Sequence, residues 1–170
     1  AETEEDVSGC IKRHGVTPVR FFAELGTFEN PTNAAHCVVI NRDDIEILKE
    51  KGVTAVHNPT SNMKLGSGFM PMRSLLDAGV PVVLGTDSTA SNNNLNFLEE
   101  MHLASLIHCG IGRDPTLVKA GEILTMATSA GAEAQGRKDT GKLKIGNRAD
   151  LAVFDLDKPH LIPVHDAPAL

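Results

Sequence analysis

Two spacings of apolar residues alternate along this chain. Val80–Leu84 is a short apolar run, Val53–Val56 is a short β-branched stretch ending at His57-Asn58-Pro59, and Thr32–Cys37 is a short run of small residues ending at a histidine. Such runs, bounded by turn residues, read as buried strands, whereas apolar residues recurring roughly every three to four positions read as helices. Helices are expected at Thr3–His14, with a capping box between Thr3 and Asp6, and at Pro18–Leu25, closed by Gly26. Asp43–Lys51 turns Ile45, Ile47 and Leu48 inward and stops at Gly52, and Met72–Asp77 stops at Gly79. Asn96–Cys109 carries Leu98, Met101, Ala104, Ser105 and Ile107 on or near one face. Asp114-Pro115 opens a further helix, continued by Ala120–Ala134. After Gly136 the pattern changes: Lys142–Ile145 and Asp150–Asp155 read as two strands around a turn at Gly146-Asn147. Pro159, Pro163 and Pro168 then oppose a regular helix.

Strands about 25 to 30 residues apart, with helices between them, imply βαβ units and a parallel sheet. In that architecture the strand C-termini share one rim, which is where ligands bind in open sheets and barrels alike. His36, His57 and Asp87 all fall at such strand ends.

Composition narrows the partners. The 170 residues can bury a core of their own. With six Phe and no Trp or Tyr, that core must rest on Val, Ile, Leu, Ala and Met. A formal net charge of -6 without a basic tract argues against nucleic acid. The longest apolar run, Gly79–Gly85, is too short to cross a bilayer. Cys10, Cys37 and Cys109 are odd in number and contain no CxxC pair, so neither a disulfide framework nor a zinc knuckle is indicated, and a reducing cytoplasm is the expected setting. Ala1 and Leu170 carry no terminal signal, and the chain reads as a segment of something longer.

Each rim residue has an ordinary structural role beside a chemical one. Asp87 could cap the helix that follows it, His36 could be a buried imidazole satisfied by backbone, and His57 could orient the turn at Asn58-Pro59. Glu2 fits the acidic first turn of any helix. Two imidazoles and a carboxylate converging at strand ends are nevertheless the beginning of a metal-assisted hydrolytic site.

Four segments occur in order: Ala1-Glu2-Thr3, Ala34-Ala35-His36-Cys37, Val56-His57-Asn58-Pro59-Thr60-Ser61-Asn62-Met63-Lys64-Leu65, and Gly85-Thr86-Asp87 followed by Ala90-Ser91-Asn92-Asn93. Together they resemble the second half of a metal-dependent amidohydrolase, most closely the 5-methylthioadenosine/S-adenosylhomocysteine deaminase branch, beside guanine deaminases and triazine chlorohydrolases. The resemblance implies the C-terminal part of a (β/α)8 TIM-type barrel over residues 1–136. Residues 137–170, through Gly141-Lys142-Leu143-Lys144-Ile145-Gly146-Asn147-Arg148-Ala149-Asp150-Leu151-Ala152-Val153, would then return into a small β domain.

It also implies roles. Asp87 matches the metal-binding aspartate that takes a proton from water, and the metal is expected to be zinc. His36 matches a histidine that steadies developing charge, and Glu2 matches the acid that shuttles a proton to a purine ring nitrogen. Ser91 matches a loop serine near the substrate, and His57 is placed on the ligand or just behind it. The substrate implied is a purine nucleoside, with the adenosine-type branch favoured by Asn92-Asn93-Asn94-Leu95. The same family uses an HxH pair and a histidine that would precede Ala1. No HxH occurs here, and His14, His102, His108, His160 and His165 match no ligand position. The 170 residues alone are thus expected to lack catalysis and to associate with copies of themselves or with the missing barrel half. A non-catalytic α/β binding module would share the alternation of elements, but Gly66-Ser67-Gly68 is a poor phosphate cradle.

Overall fold

The computed structural model describes residues 1–159. Three short strands form one parallel sheet in chain order: β1 (Asn33–Ala35), β2 (Thr54–His57) and β3 (Val82–Leu84). In register, Ala34 lies beside Ala55, Ala55 beside Val82 and His57 beside Leu84. Helices α1 (Glu4–His14) and α2 (Pro18–Glu24) precede β1, α3 (Arg42–Glu50) crosses to β2, and α4 (Pro59–Lys64) and α5 (Met72–Ala78) cross to β3. Then follow α6 (Thr89–Asn92), α7 (Phe97–Gly112), α8 (Ala120–Ala127) and α9 (Ser129–Ala134).

Local chemistry sets the helix starts. Thr3 and Asp6 form the expected capping box, and Asn41 forms another with Asp44. Thr17 caps α2, with Pro18 at its first position. The core lies between the sheet and the helices, where Leu48, Val53, Ala55, Met72, Leu75, Val82, Ala104, Ile123 and Met126 are buried together. Gly85 follows β3 because nothing larger fits. A Cβ there would stand 2.5 Å from Asn58 Oδ1 and 2.9 Å from Val56 Cγ1.

Three expectations need correction. No helix opens at Asp114-Pro115. Asp114 Oδ1 instead accepts from the Thr116 amide and hydroxyl, which closes an Asx turn, and α8 starts at Ala120. The single helix expected through Ala134 breaks at Thr128, whose φ of -124° and ψ of -91° are not helical. Lys142–Ile145 and Asp150–Asp155 are not strands. The turn between them forms, with the Asn147 amide donating to Lys144 O, but neither segment meets a strand edge among the described residues. Leu143, Ile145, Leu151 and Val153 are left exposed. A strand needs a neighbour to satisfy its backbone, and an alternating pattern cannot supply one. His160, His165, Pro163 and Pro168 lie outside the described residues. Among the described residues no helix is long and apolar enough to cross a membrane.

Candidate active site at the strand ends

The expected rim residues part company according to where the extended backbone stops. β2 runs through His57, so period-two alternation holds and His57 shares the buried face with Ala55. β1 stops one residue before His36. His36 and Cys37 adopt φ of 69° and 44°, and the alternation is broken there even though the His36 amide still donates to Val56 O. The chain after β3 does the same at Asp87, with φ of 60°. A non-glycine residue in the left-handed region costs on the order of 1–2 kcal/mol and persists only where its surroundings hold it. His36 and Asp87 carry that strain, and they are the two that meet.

His36 Nε2 stands 3.6 Å from Glu2 Oε2 and 3.9 Å from Asp87 Oδ2. The three side chains remain partly accessible, at 18% for His36, 28% for Glu2 and 29% for Asp87. Glu2 reaches the site because Ala1 O accepts from the Val38 and Val39 amides, which ties the start of the chain beside the segment that follows His36. The Ser67 hydroxyl donates to Glu2 Oε1 at 2.7 Å and leaves Oε2 toward the imidazole.

On its other side the His36 ring is fixed by Asn62. Nδ1 lies 2.8 Å from Asn62 Oδ1, an acceptor that a proton on Nδ1 satisfies, and Nε2 faces the two carboxylates. Asp87 is held by the Ser61 hydroxyl at 2.6 Å on Oδ2 and by the Ser88 amide at 2.7 Å on Oδ1. The Ser61 hydrogen bond is the main reason the Asp87 carboxyl lies below its usual pKa range. Partial burial opposes that effect, and the Ser91 hydroxyl, the Ser88 amide and the His36 ring add to it. Ser91 sits in the first turn after the strand, where its amide and hydroxyl bond Ser88.

His57, expected on the ligand or just behind it, does not join this group and lies buried behind the rim. It is 1% exposed, and its Nε2 lies 3.0 Å from Nε2 of His108 on α7. Burial holds the His57 pKa down at about 3, with the His108 charge adding to the effect, and burial holds His108 at about 4. Both shifts favour the neutral imidazoles. Sequence reading also passed over Ser61, Asn62 and Ser67. The first two sit in a single short helix that begins at Pro59 and shows no apolar period; their signal was membership of the segment Val56–Leu65 that carries the resemblance.

The geometry brings a carboxylate, an imidazole and a second carboxylate from three distant segments onto one partly open rim. The chain matches the amidohydrolase family over residues 1–169 and belongs to that family. It is 46% identical over 166 residues to a 5-methylthioadenosine/S-adenosylhomocysteine deaminase of Caldicellulosiruptor saccharolyticus, covering 98% of this chain and 39% of that protein. It is also 46% identical to a 5'-deoxyadenosine deaminase of Methanosarcina mazei, over 99% of this chain and 39% of the relative. The crystal structure of an adenosine deaminase from Xanthomonas campestris with bound zinc superposes on 99% of this chain and 38% of its own, with a TM-score of 0.93 at 34% identity. The chain thus spans about two-fifths of the length of the proteins it matches. Its three strands are a partial α/β barrel.

Proposed function

We propose that this chain carries the C-terminal half of the active site of a hydrolase that deaminates adenine-type nucleosides, with 5-methylthioadenosine and S-adenosylhomocysteine as the substrate class. The observation that carries the reading is His36 Nε2, held between Glu2 and Asp87 by residues from three separate segments. The nucleoside deaminases among its relatives favour this branch of the family. The partition into a barrel portion (1–136) and a segment returning to a β domain (137–170) belongs to the same proposal. Its support is that Leu143 and Ile145, and Leu151 and Val153, expose apolar side chains two residues apart, as strands awaiting neighbours would.

The residues fit a divalent cation in part. The Asp87 oxygens accept one hydrogen bond each, which leaves lone pairs free, and an imidazole stands beside them; such oxygen and nitrogen donors suit zinc. Among the described residues no three side chains close into a coordination shell, so Asp87 would be one ligand of a set completed from elsewhere. When bound, such a cation lowers the pKa of water to about 7.

The chain's own groups supply the proton handling. Asp87, kept ionised at neutral pH by Ser61, accepts a proton at Oδ2 from the attacking water. His36, its Nδ1–H committed to Asn62, faces the reacting centre with Nε2, which steadies negative charge developing there when it carries a proton. Glu2, anchored through Oε1 by Ser67, hands a proton from Oε2 to a purine ring nitrogen. Ser91 sits at the rim, beside the position of the substrate. Water adds at the ring carbon; the proton taken by Asp87 passes to the amino group, which departs as ammonia, and the remaining hydroxyl proton returns to Glu2 as C–NH2 becomes C=O.

The test is ammonia release from 5'-methylthioadenosine by the full-length polypeptide containing these residues, with zinc measured on the same sample. Turnover abolished by Asp87→Ala and by Glu2→Gln, with zinc lost in the first, is the expected result. A zinc-loaded protein that releases ammonia from no adenine nucleoside overturns the reading. Hydrolysis of guanine or a chlorotriazine instead would move the chain to a neighbouring branch.

A further inference from the structure

The most buried acidic group in the core is Glu100, in the first turn of α7, and it is 0% exposed. Its neighbour Glu99 is exposed and bonds its own helix cap and Asn94, as a first-turn acid ordinarily does. Glu100 bonds outside its helix. Oε2 accepts from the Thr60 amide at 3.2 Å, and Oε1 accepts from Asn92 Nδ2 at 2.7 Å. The same Asn92 nitrogen donates to Thr86 O at 2.6 Å. Among the described residues no Lys, Arg or His pairs with Glu100. A sheltered carboxylate without a cation is tolerated only where hydrogen bonds hold it, and an apolar side chain would fill the same space more favourably.

Both arms end next to the Ser61–Asp87 hydrogen bond. Thr60 is bonded in chain to Ser61, whose hydroxyl fixes Asp87, and Thr86 is bonded in chain to Asp87 itself. The loop after β2 and the loop after β3 are thereby tied to one carboxylate from below. Asp87 sits at a left-handed backbone position, φ 60°, between these two tethered loops.

We infer that Glu100 is a positioning residue: a buried anionic clamp that sets the separation of the Ser61 and Asp87 loops and so aims the Asp87 carboxylate at the reaction centre. The inference rests on the proposed role of Asp87, but the clamp is testable apart from it. Glu100 touches no reacting atom and acts through Thr60 and Asn92.

The experiment compares the full-length wild-type protein with Glu100→Gln and Asn92→Ala by hydrogen-exchange mass spectrometry and steady-state kinetics. Glu100→Gln keeps the shape but turns a donor toward Thr60 or Asn92. Exchange should rise about tenfold in peptides covering 58–65 and 85–93, the effect of one lost hydrogen bond, while the 72–79 peptide stays at the wild-type rate. Asn92→Ala should loosen 85–93 alone. In both variants kcat should fall about 10- to 100-fold, with KM within about threefold of wild type. A folded Glu100→Gln protein with wild-type exchange in both loops overturns the clamp. Exchange raised equally in every peptide overturns it too, since that would mark a merely structural residue. If wild type shows no turnover, the deaminase reading fails while the two loop peptides still decide the clamp.

Discussion

His36 Nδ1 lies 2.8 Å from the side-chain oxygen of Asn62, and this contact decides which face of the imidazole looks into the site. Without it the ring could present either nitrogen to Glu2 and Asp87. Asn62 is buried, and among the described residues its side-chain oxygen is committed to the His36 ring.

Replacing Asn62 separates orientation from bulk. In the full-length protein, Asn62→Leu should lower turnover of an adenine nucleoside by about 10- to 100-fold, whereas Asn62→Asp retains the acceptor for Nδ1–H and should stay within about fivefold of wild type. Equal kcat values for the two variants would contradict the assigned tautomer.

The buried imidazole pair makes folding acid-sensitive. His57 is held at about 3 and His108 at about 4, whereas both titrate near 6.5 in an unfolded chain. Between those limits the unfolded state binds more protons than the folded one, so stability rises with pH across roughly pH 3 to 6.5 and is lost as pH falls through that window. Urea midpoints measured from pH 7 down to pH 4 should decline steadily, and a flat profile would mean that the pair is not sealed in the fold.

Gly85 offers a purely steric test. The methyl group of Gly85→Ala would stand 2.5 Å from Asn58 Oδ1 and 2.9 Å from Val56 Cγ1, beneath the Asp87 loop. Overpacking of this kind costs about 1–3 kcal/mol, so thermal unfolding should begin several degrees lower. An unchanged melting temperature would show that Asn58 yields freely.

The 170-residue chain by itself should associate. Leu98, Leu106 and Ile111 on α7 are exposed, and among the described residues the outer edges of β1 and β3 have no partner strand. Sedimentation velocity should show weight-average mass rising with concentration; a compact monomer at every concentration would contradict this.

What the sequence determined by itself was everything governed by near neighbours. The Thr3–Asp6 capping box is a three-residue relation, and the apolar residues at 53–56 and 80–84 announce the second and third strands. Tertiary structure alone decided which way each side chain at that rim turned. His57 lies within regular extended backbone and was carried inward to His108, while left-handed residues swung His36 and Asp87 toward each other. Ser61, Asn62 and Glu100 received no role from the sequence, because each has a partner 26 to 40 residues away, although Glu100 also bonds Asn92 eight residues back. The segments at 142–145 and 150–155 show the converse: a strand-like pattern stays unpaired when no neighbouring edge completes its hydrogen bonds.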